Sequence, residues 1–275
     1  MKRNNTVKKI FIAVVSLIIC LIPLIPFYMM INISLKDVTD YKSTISIPKE
    51  FVFANFVDAW KSAGLGTAFM NNIIITIFTL LLVILVSSMA SYPLSRNKSK
   101  LNKAIYTTFI ACMIIPSLTL IVPLYMILIK MHALNTLWGA ILVQTAFSLP
   151  MSIFLYTGFI SSIPKELDEA GYIDGASRIG IFFKLILPLL KPITASVVIL
   201  QGVGIWNEYG MSLYILQNKD VQNLTVALSR FVGQYQSQMN WVAAGCLMSA
   251  APMIVLFLIF QKQFIKGISS GAVKG

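Results

Sequence analysis

The chain has 275 residues, of which 57% are hydrophobic and only 12% charged, with a formal net charge of +12 and a mean hydropathy of +0.80. A soluble domain carries about a quarter charged residues, so this composition excludes an ordinary water-soluble protein and places the chain in a bilayer. No H-E-x-x-H, P-loop or G-x-S-x-G motif marks a catalytic centre.

A membrane-spanning helix needs roughly 20 apolar residues. Six runs qualify: 10–31, 71–93, 104–129, 137–160, 189–214 and 241–264. They predict an all-α integral membrane protein with six transmembrane helices, a single multi-pass unit over residues 1–275. Lys2, Arg3, Lys8 and Lys9 precede the first run. That run is longer than a signal-peptide core and no A-x-A-like site follows, so it reads as a retained anchor. Residues 32–69 come next and carry FVFANFVDAW (51–60), whose aromatics suit the membrane interface. This segment reads either as lying across the outer face or as a plain amphipathic surface helix. SRNKSKLNK (95–103) is a short, strongly basic turn.

The placement of the basic residues sets orientation. Residues 2–9, 96–103 and 165–191 hold four Lys/Arg each and residues 262–274 hold three, against seven in the segments on the other side. The positive-inside rule therefore puts both termini in the cytoplasm, and the excess charge is a topology signal with no call for nucleic acid. Cys20, Cys112 and Cys246 fall in three different runs without metal or disulfide spacing, and His132 has no second ligand nearby.

Spans two to six contain polar residues that an anchor does not need, among them Asn71, Asn72, Thr76, Ser87, Ser88, Gln144, Thr145, Ser148, Gln201 and Asn207. Each serves helix-to-helix hydrogen bonding or a polar path through the bundle. Gly202, Gly204 and the Gly245/Ser249 pair allow close helix approach. Glu208, in WNEYG, is the only acid within a span. An intramembrane carboxylate is a functional candidate, but its place near the end of the run also fits a hydrated structural role. Asn72, Gln144, Gln201, Asn207 and Glu208 are the candidates for a translocation path.

ELDEAGYIDGASRIGIFFKLILPLLKP (166–192) interrupts the apolar pattern with four carboxylates. It predicts two short helices. Pro164 opens the first, and Glu166, Asp168 and Glu169 favour the positive end of its dipole. Asp174 is the expected N-cap of the second helix, Gly175 the bend, and Pro188 the stop. Leu167, Ala170 and Gly171 share one face by their spacing. Such a small apolar patch fits a groove in another protein or a fold back onto its own bundle.

E-A-G-x-x-x-G at 169–175, followed after nine residues by Leu185-Ile186-Leu187-Pro188, resembles the signature loop of the inner-membrane permeases of binding-protein-dependent ABC importers. Gly171 stands where that pattern has a second alanine and Leu185 where it has isoleucine. LNTLWGAIL (134–142), WNEYG and QKQFIKGISSGAVKG (261–275) are similar to the carbohydrate-importer subgroup that includes the second membrane subunit of maltose transporters.

The resemblance implies a type I importer permease fold with a transmembrane core over 67–264, a cytoplasmic coupling hairpin at 163–188 and a cytoplasmic tail at 265–275. It implies that Glu169, Ala170, Gly171, Asp174, Gly175 and Ala176 dock on an ATPase subunit, with Leu187, Pro188 and Pro192 shaping the hairpin. The implied partners are a second homologous permease, two ATPase subunits, an extracytoplasmic sugar-binding protein and membrane lipid in the bacterial inner membrane. The chain itself would bind no cofactor and be no enzyme, ATP being used by the partner subunits. The implied cargo is a sugar or oligosaccharide, with glycerol phosphate as the alternative. An ion-coupled secondary transporter fits less well, since it needs charged groups near the midplane and only Glu208 is available.

Overall fold

The computed structural model describes the backbone of residues 2–40, 43–234 and 238–272, and the described residues form helices joined by turns, with no strand among them. In chain order the helices are α1 (Lys2–Leu21), α2 (Leu24–Ser34), α3 (Ala54–Ser62), α4 (Leu65–Arg96), α5 (Lys100–Cys112), α6 (Ile121–Lys130) and α7 (Leu137–Ser162). Then come α8 (Glu166–Ile173), α9 (Arg178–Ile181), α10 (Leu187–Leu189), α11 (Lys191–Trp206), α12 (Ser212–Ile215), α13 (Leu224–Gln234) and α14 (Met239–Ala272).

Among the described residues, four stretches are long and apolar enough to cross a membrane unbroken: Phe11–Ser34, α4, α7 and Met239–Lys262. Two further helix pairs are apolar enough together but bent, each a broken span or a re-entrant loop. The expected third span is α5 followed by Ser117–Lys130, meeting at 99°. Pro116 explains the break, because it lacks an N–H and its ring disfavours a helical residue before it. Pro123 is tolerated two residues into α6, where backbone N–H groups have no helical partner anyway. The expected fifth span, 189–214, is shorter than its apolar run: α11 stops at Trp206 and meets Arg178–Leu189 at 72°. Of the expected tail, the backbone stays helical to Ala272, and residues 273–275 lie outside the described residues.

The described chain falls into two compact units, residues 1–66 with 227–250 and residues 67–226 with 251–275. The first unit is organised by a buried polar knot. Lys36 is only 5% exposed, and a buried ammonium must be given acceptors. Its Nζ donates to the Ser43 carbonyl at 2.8 Å and to Ser46 Oγ at 3.1 Å. Asn55 Nδ2 donates to the carbonyls of Ser34 and Lys36, both at 2.9 Å, and Asn240 Nδ2 donates to Asn55 Oδ1 at 2.9 Å. The aromatic stretch 51–60 becomes the amphipathic α3, with Asn55 and Ala59 inward and Phe53 and Val57 exposed. Ala59, Phe231, Val242 and Ala244 make its small core. Gly245 is needed where α14 approaches Leu228, since a Cβ there would lie 2.9 Å from Leu228 Cδ2.

The second unit holds two apolar cores. One joins Ile75 and Leu80 of α4 to Leu128, Val143, Ile205 and Ile215. The other joins Val83 of α4, Tyr156 and Ile160 of α7 and Val197 of α11 to Ile181, Phe182, Ile186 and Leu190. Polar ties lock these helices: Ser91 Oγ donates to the Ile153 carbonyl at 3.2 Å, and Tyr156 Oη to Thr194 Oγ1 at 2.9 Å. The turn before α7 is fixed by Thr136, whose Oγ1 accepts from the Gly139 N–H at 3.1 Å and donates to the Ala133 carbonyl at 2.6 Å. Only glycine fits at 139, because a Cβ would meet the Ala133 carbonyl oxygen at 2.1 Å.

Candidate functional site

The interrupted stretch after α7 folds as a helical hairpin. α8 begins with Glu166, Asp168 and Glu169 in its first turn, where the helix dipole favours carboxylates. It starts two residues later than expected, with Lys165 at the N-cap and Pro164 just outside. Its end differs more. Asp174 caps the C-terminus of α8, Gly175 takes φ +79°, and the Ala176 N–H bonds the Gly171 carbonyl at 2.9 Å while the Gly175 N–H bonds Tyr172 at 3.0 Å. This six-to-one and five-to-two pair is a Schellman closure, and it requires the left-handed residue that glycine supplies. The N-cap of the second helix is therefore Ser177, not Asp174: Ser177 Oγ accepts from the Gly180 N–H at 3.1 Å.

The two faces of α8 separate sharply. Ile173 at the tip is 86% exposed, and Leu167, Glu169, Ala170 and Asp174 are exposed as well. Gly171 does not share that outer face. It is buried where α8 crosses the second helix, and a Cβ there would come within 2.9 Å of Ile181 Cγ1 and Leu185 Cδ1. The glycine that replaces the alanine of the family pattern thus allows close packing inside the hairpin.

From Phe182 the second helix widens into a π turn, Phe182–Ile186, and the Leu187 N–H reaches back to the Phe182 carbonyl. The widened turn accommodates Pro188, which has no N–H to offer and would clash with a normal α-helical carbonyl. Pro188 consequently does not end the helix, which runs on through Leu189 and turns at the fully buried Leu190 into α11, with Pro192 in its first turn. Ile181, Phe182 and Ile186 are built into the same core as Val83, Tyr156 and Ile160.

A second attachment was not legible from residue spacing. Asp168 is buried, and the hydroxyl of Tyr92 donates to its Oδ1. Arg96 Nη2 lies 2.8 Å from Asp168 Oδ2, with the two side chains 13% and 10% exposed. The pair is a close charge contact without hydrogen-bond alignment. Arg96 Nη1 also donates to the carbonyls of Ile160 and Ile163, at 3.2 and 2.9 Å. The guanidinium thus joins the end of α4, the negative end of α7 and the hairpin. Tyr92 packs its ring 5.5 Å from that of Phe182. The only sequence signals were an arginine closing an apolar span and an acid in a first helical turn.

Between the end of α4 and the hairpin lies a cavity of about 730 Å³. Met89, Ile179 and Phe183 supply apolar wall, while Lys98, Lys165 and Arg178 supply cations.

The candidate path residues are more dispersed. Asn72 is buried and donates to the Trp206 carbonyl at 3.2 Å, tying α4 to the end of α11. Gln144 is buried on α7 and Gln201 half-buried on α11. Asn207 is exposed and donates back to the Val203 carbonyl at 2.9 Å. Both oxygens of Glu208 are engaged: Oε1 accepts from the Met211 N–H at 2.7 Å, and Oε2 from the Ser212 N–H at 3.0 Å and from its hydroxyl. The Glu208 carbonyl accepts from Asn223 Nδ2 at 2.7 Å and Thr225 Oγ1 at 2.6 Å. Asn223 in turn receives the Val226 N–H on Oδ1 at 3.1 Å, the N-cap of α13. Among the described residues no group of three or more His, Cys, Asp or Glu could hold a metal.

Residues 84–270 match the family described as binding-protein-dependent transport system inner membrane component. The chain is 47% identical to the melibiose/raffinose/stachyose import permease protein MelC of Bacillus subtilis, covering all of both chains. It is 33% identical to a probable starch degradation products transport system permease protein, AmyC, of Thermoanaerobacterium thermosulfurigenes, covering 99% of each. Its fold is similar to a chain from the crystal structure of a bacterial ABC transporter involved in the import of the acidic polysaccharide alginate. The TM-score is 0.82 at 22% identity, over 95% of this chain and 98% of the other.

Proposed function

The chain belongs to the binding-protein-dependent transport system inner membrane component family, and from that premise we propose that its hairpin is the element through which ATP-driven partner subunits move the bundle. It is a multi-pass inner-membrane permease subunit of an ABC importer rather than an enzyme. The cargo we assign is an oligosaccharide, with melibiose, raffinose and stachyose the first candidates because the relative that imports them is 47% identical over the full length.

In this reading the complex contains a second permease, two ATPase subunits and an extracytoplasmic binding protein, and the hairpin end and both termini face the cytoplasm. Glu169, Ala170 and Asp174 on the exposed side of α8 meet the ATPase, while Gly171, Gly175 and Ala176 fix the shape that presents them. Closure of the ATPase pair displaces the hairpin, and α4, α7 and α11 follow. Alternating access needs an element that two sites can bias. Asn72, Gln144, Gln201 and Asn207 are assigned to the path, with Glu208 holding the turn that ends α11.

The observation that carries the proposal is the division of the hairpin between an exposed tip at Ile173 and an inner face shared with the core of three spans. A lever works only if one end is free and the other is anchored in what it moves. The test is uptake of labelled raffinose into vesicles containing the chain with its co-purified partners. Uptake should require ATP inside, and Glu169→Lys should abolish it while the variant chain still inserts. Uptake that persists without ATP would overturn the importer mechanism, and uptake of glycerol phosphate with none of raffinose would replace the cargo.

A further inference from the structure

The cavity behind the hairpin has the chemistry of a lipid site. Its lining contains four cations, Arg96, Lys98, Lys165 and Arg178, and two acids, Asp168 and Glu169. Arg96 is already neutralised by Asp168, leaving three cations against Glu169. Among the described residues, no ion pair engages Lys98, Lys165 or Arg178, and all three are exposed. A free inorganic anion would need only these cations. The cavity offers more: Met89, Ile179 and Phe183 are 44%, 71% and 41% exposed and give it an apolar wall beside the charged rim.

The apolar wall continues out of the cavity along α4. Leu81, Leu85 and Met89 recur every fourth residue, so they lie on one helix face, and all three are exposed. This stripe belongs to a span and ends at the cavity, where α4 runs on to close at Arg96 with Lys98 just beyond it. Hydrocarbon on one side and cations on the other, at the end of a spanning helix, is the pattern that a phosphate-bearing lipid matches. The volume also suits it, since cavities of about 300–1,000 Å³ hold ligands the size of a headgroup with the start of a chain.

We propose that this cavity binds one anionic glycerophospholipid, its phosphate against Lys98, Lys165 and Arg178 and an acyl chain running over Met89 along the exposed stripe of α4. The lipid would lie between the end of α4 and the hairpin and so stiffen the lever from behind. This rests on the cavity and not on the cargo or the ATPase assignment.

The experiment titrates dioleoylphosphatidylglycerol, dioleoylphosphatidylcholine or inorganic phosphate into the full chain in detergent, with bound lipid counted by native mass spectrometry. Phosphatidylglycerol should bind about tenfold more tightly than phosphatidylcholine, a difference of about 1.4 kcal/mol, because its headgroup carries no choline cation to be repelled by the three basic side chains. The triple variant Lys98→Gln, Lys165→Gln, Arg178→Gln should lose that preference, and Lys184→Gln, outside the cavity, should keep it. Equal binding of the two lipids, or a preference surviving in the triple variant, overturns the site. Displacement of phosphatidylglycerol by millimolar phosphate would assign a free anion instead. Absence of bound phosphatidylglycerol from the assembled importer, when the isolated chain holds it, would assign the surface to a protein partner. A second arm measures thermal unfolding: the lipid should raise the midpoint of the unsubstituted chain and not that of the triple variant, provided the two unfold alike without lipid.

Discussion

Asp168 in the hairpin and Glu208 in the turn after α11 are both carboxylates that the fold has given partners, yet they are partnered in opposite ways. Glu208 is satisfied by the residues just ahead of it in sequence, the N–H groups of Met211 and Ser212 and the Ser212 hydroxyl. Asp168 is held by two side chains from another helix, by a hydrogen bond from Tyr92 and a charge contact with Arg96. The first arrangement shapes a turn. The second fastens one element to another, and it does so where a lever must not slip. An intramembrane acid is the natural candidate for function, but here the acid outside the apolar runs bears the longer-range connection.

Removing one partner of the hairpin contact should have the largest effect. Arg96→Met leaves Asp168 buried beside only a tyrosine hydroxyl, and breaking a buried pair in this way costs about 3–5 kcal/mol. Denaturation of the detergent-solubilised chain should show that loss. The double variant Arg96→Met, Asp168→Leu should recover most of it, because well-packed apolar replacements of both partners are often neutral. Uptake should stay low in both if the contact serves coupling, and a single variant as stable as the unsubstituted chain would show that the contact bears no load.

Gly171 tests the same attachment from inside. Gly171→Val places branched carbon against Ile181 and Leu185, where even a Cβ is within 2.9 Å. Overpacking of this kind costs about 1–3 kcal/mol, and the strain should lift α8 from the second helix. Gly171→Ala should be milder, since it adds one carbon where valine adds three, although only the Leu185 contact is the end of a flexible side chain and Ile181 Cγ1 has little room to shift. A spin-label distance between positions on α8 and α4 should lengthen in the valine variant and change little in the alanine one. No change in either would mean that the hairpin adjusts without moving its outer face.

The sequence carried the spans well because bilayer thickness fixes how many apolar residues a helix needs, and continuous runs such as 71–93 and 137–160 emerge as α4 and α7. It carried the bends poorly. The third run is uniformly apolar through Ile114 and Ile115, and only Pro116 signals that the helix turns by 99° there. The hairpin was legible as two helices from its acids and glycines, but its joint was not. Asp174 and Ser177 are both good caps by type, and the choice was made by the bonds of Gly175 and Ala176 to the turn behind them. Spacing puts Gly171 on one face with Leu167 and Ala170 but leaves open whether that face meets a partner or the bundle, because it cannot tell which side of a short helix meets a neighbour. The Arg96–Asp168 contact left no local trace, because its partners are far apart in the chain and meet only after α7 has folded between them.

The turn at Glu208 should give the smallest response, and it separates the two readings of that acid. Glu208→Ala removes the acceptors for two N–H groups and a hydroxyl, a loss comparable to an N-cap deletion, about 1 kcal/mol. The carbonyl of residue 208 still receives Asn223 and Thr225 whatever the side chain, so the turn should persist. Glu208→Gln keeps one acceptor oxygen for a backbone N–H and puts an NH2 donor where the second oxygen was, so it removes the charge and one backbone acceptor. If the charge itself acts on cargo or protons, the glutamine variant should be at least as stable as the alanine variant yet fail in vesicle uptake. If the carboxylate serves the turn, as its bonds to Met211 and Ser212 indicate, glutamine should transport near the normal rate and alanine should lose stability before activity. The second outcome is the one expected, because a carboxylate whose two oxygens are already held has little left to offer a passing sugar.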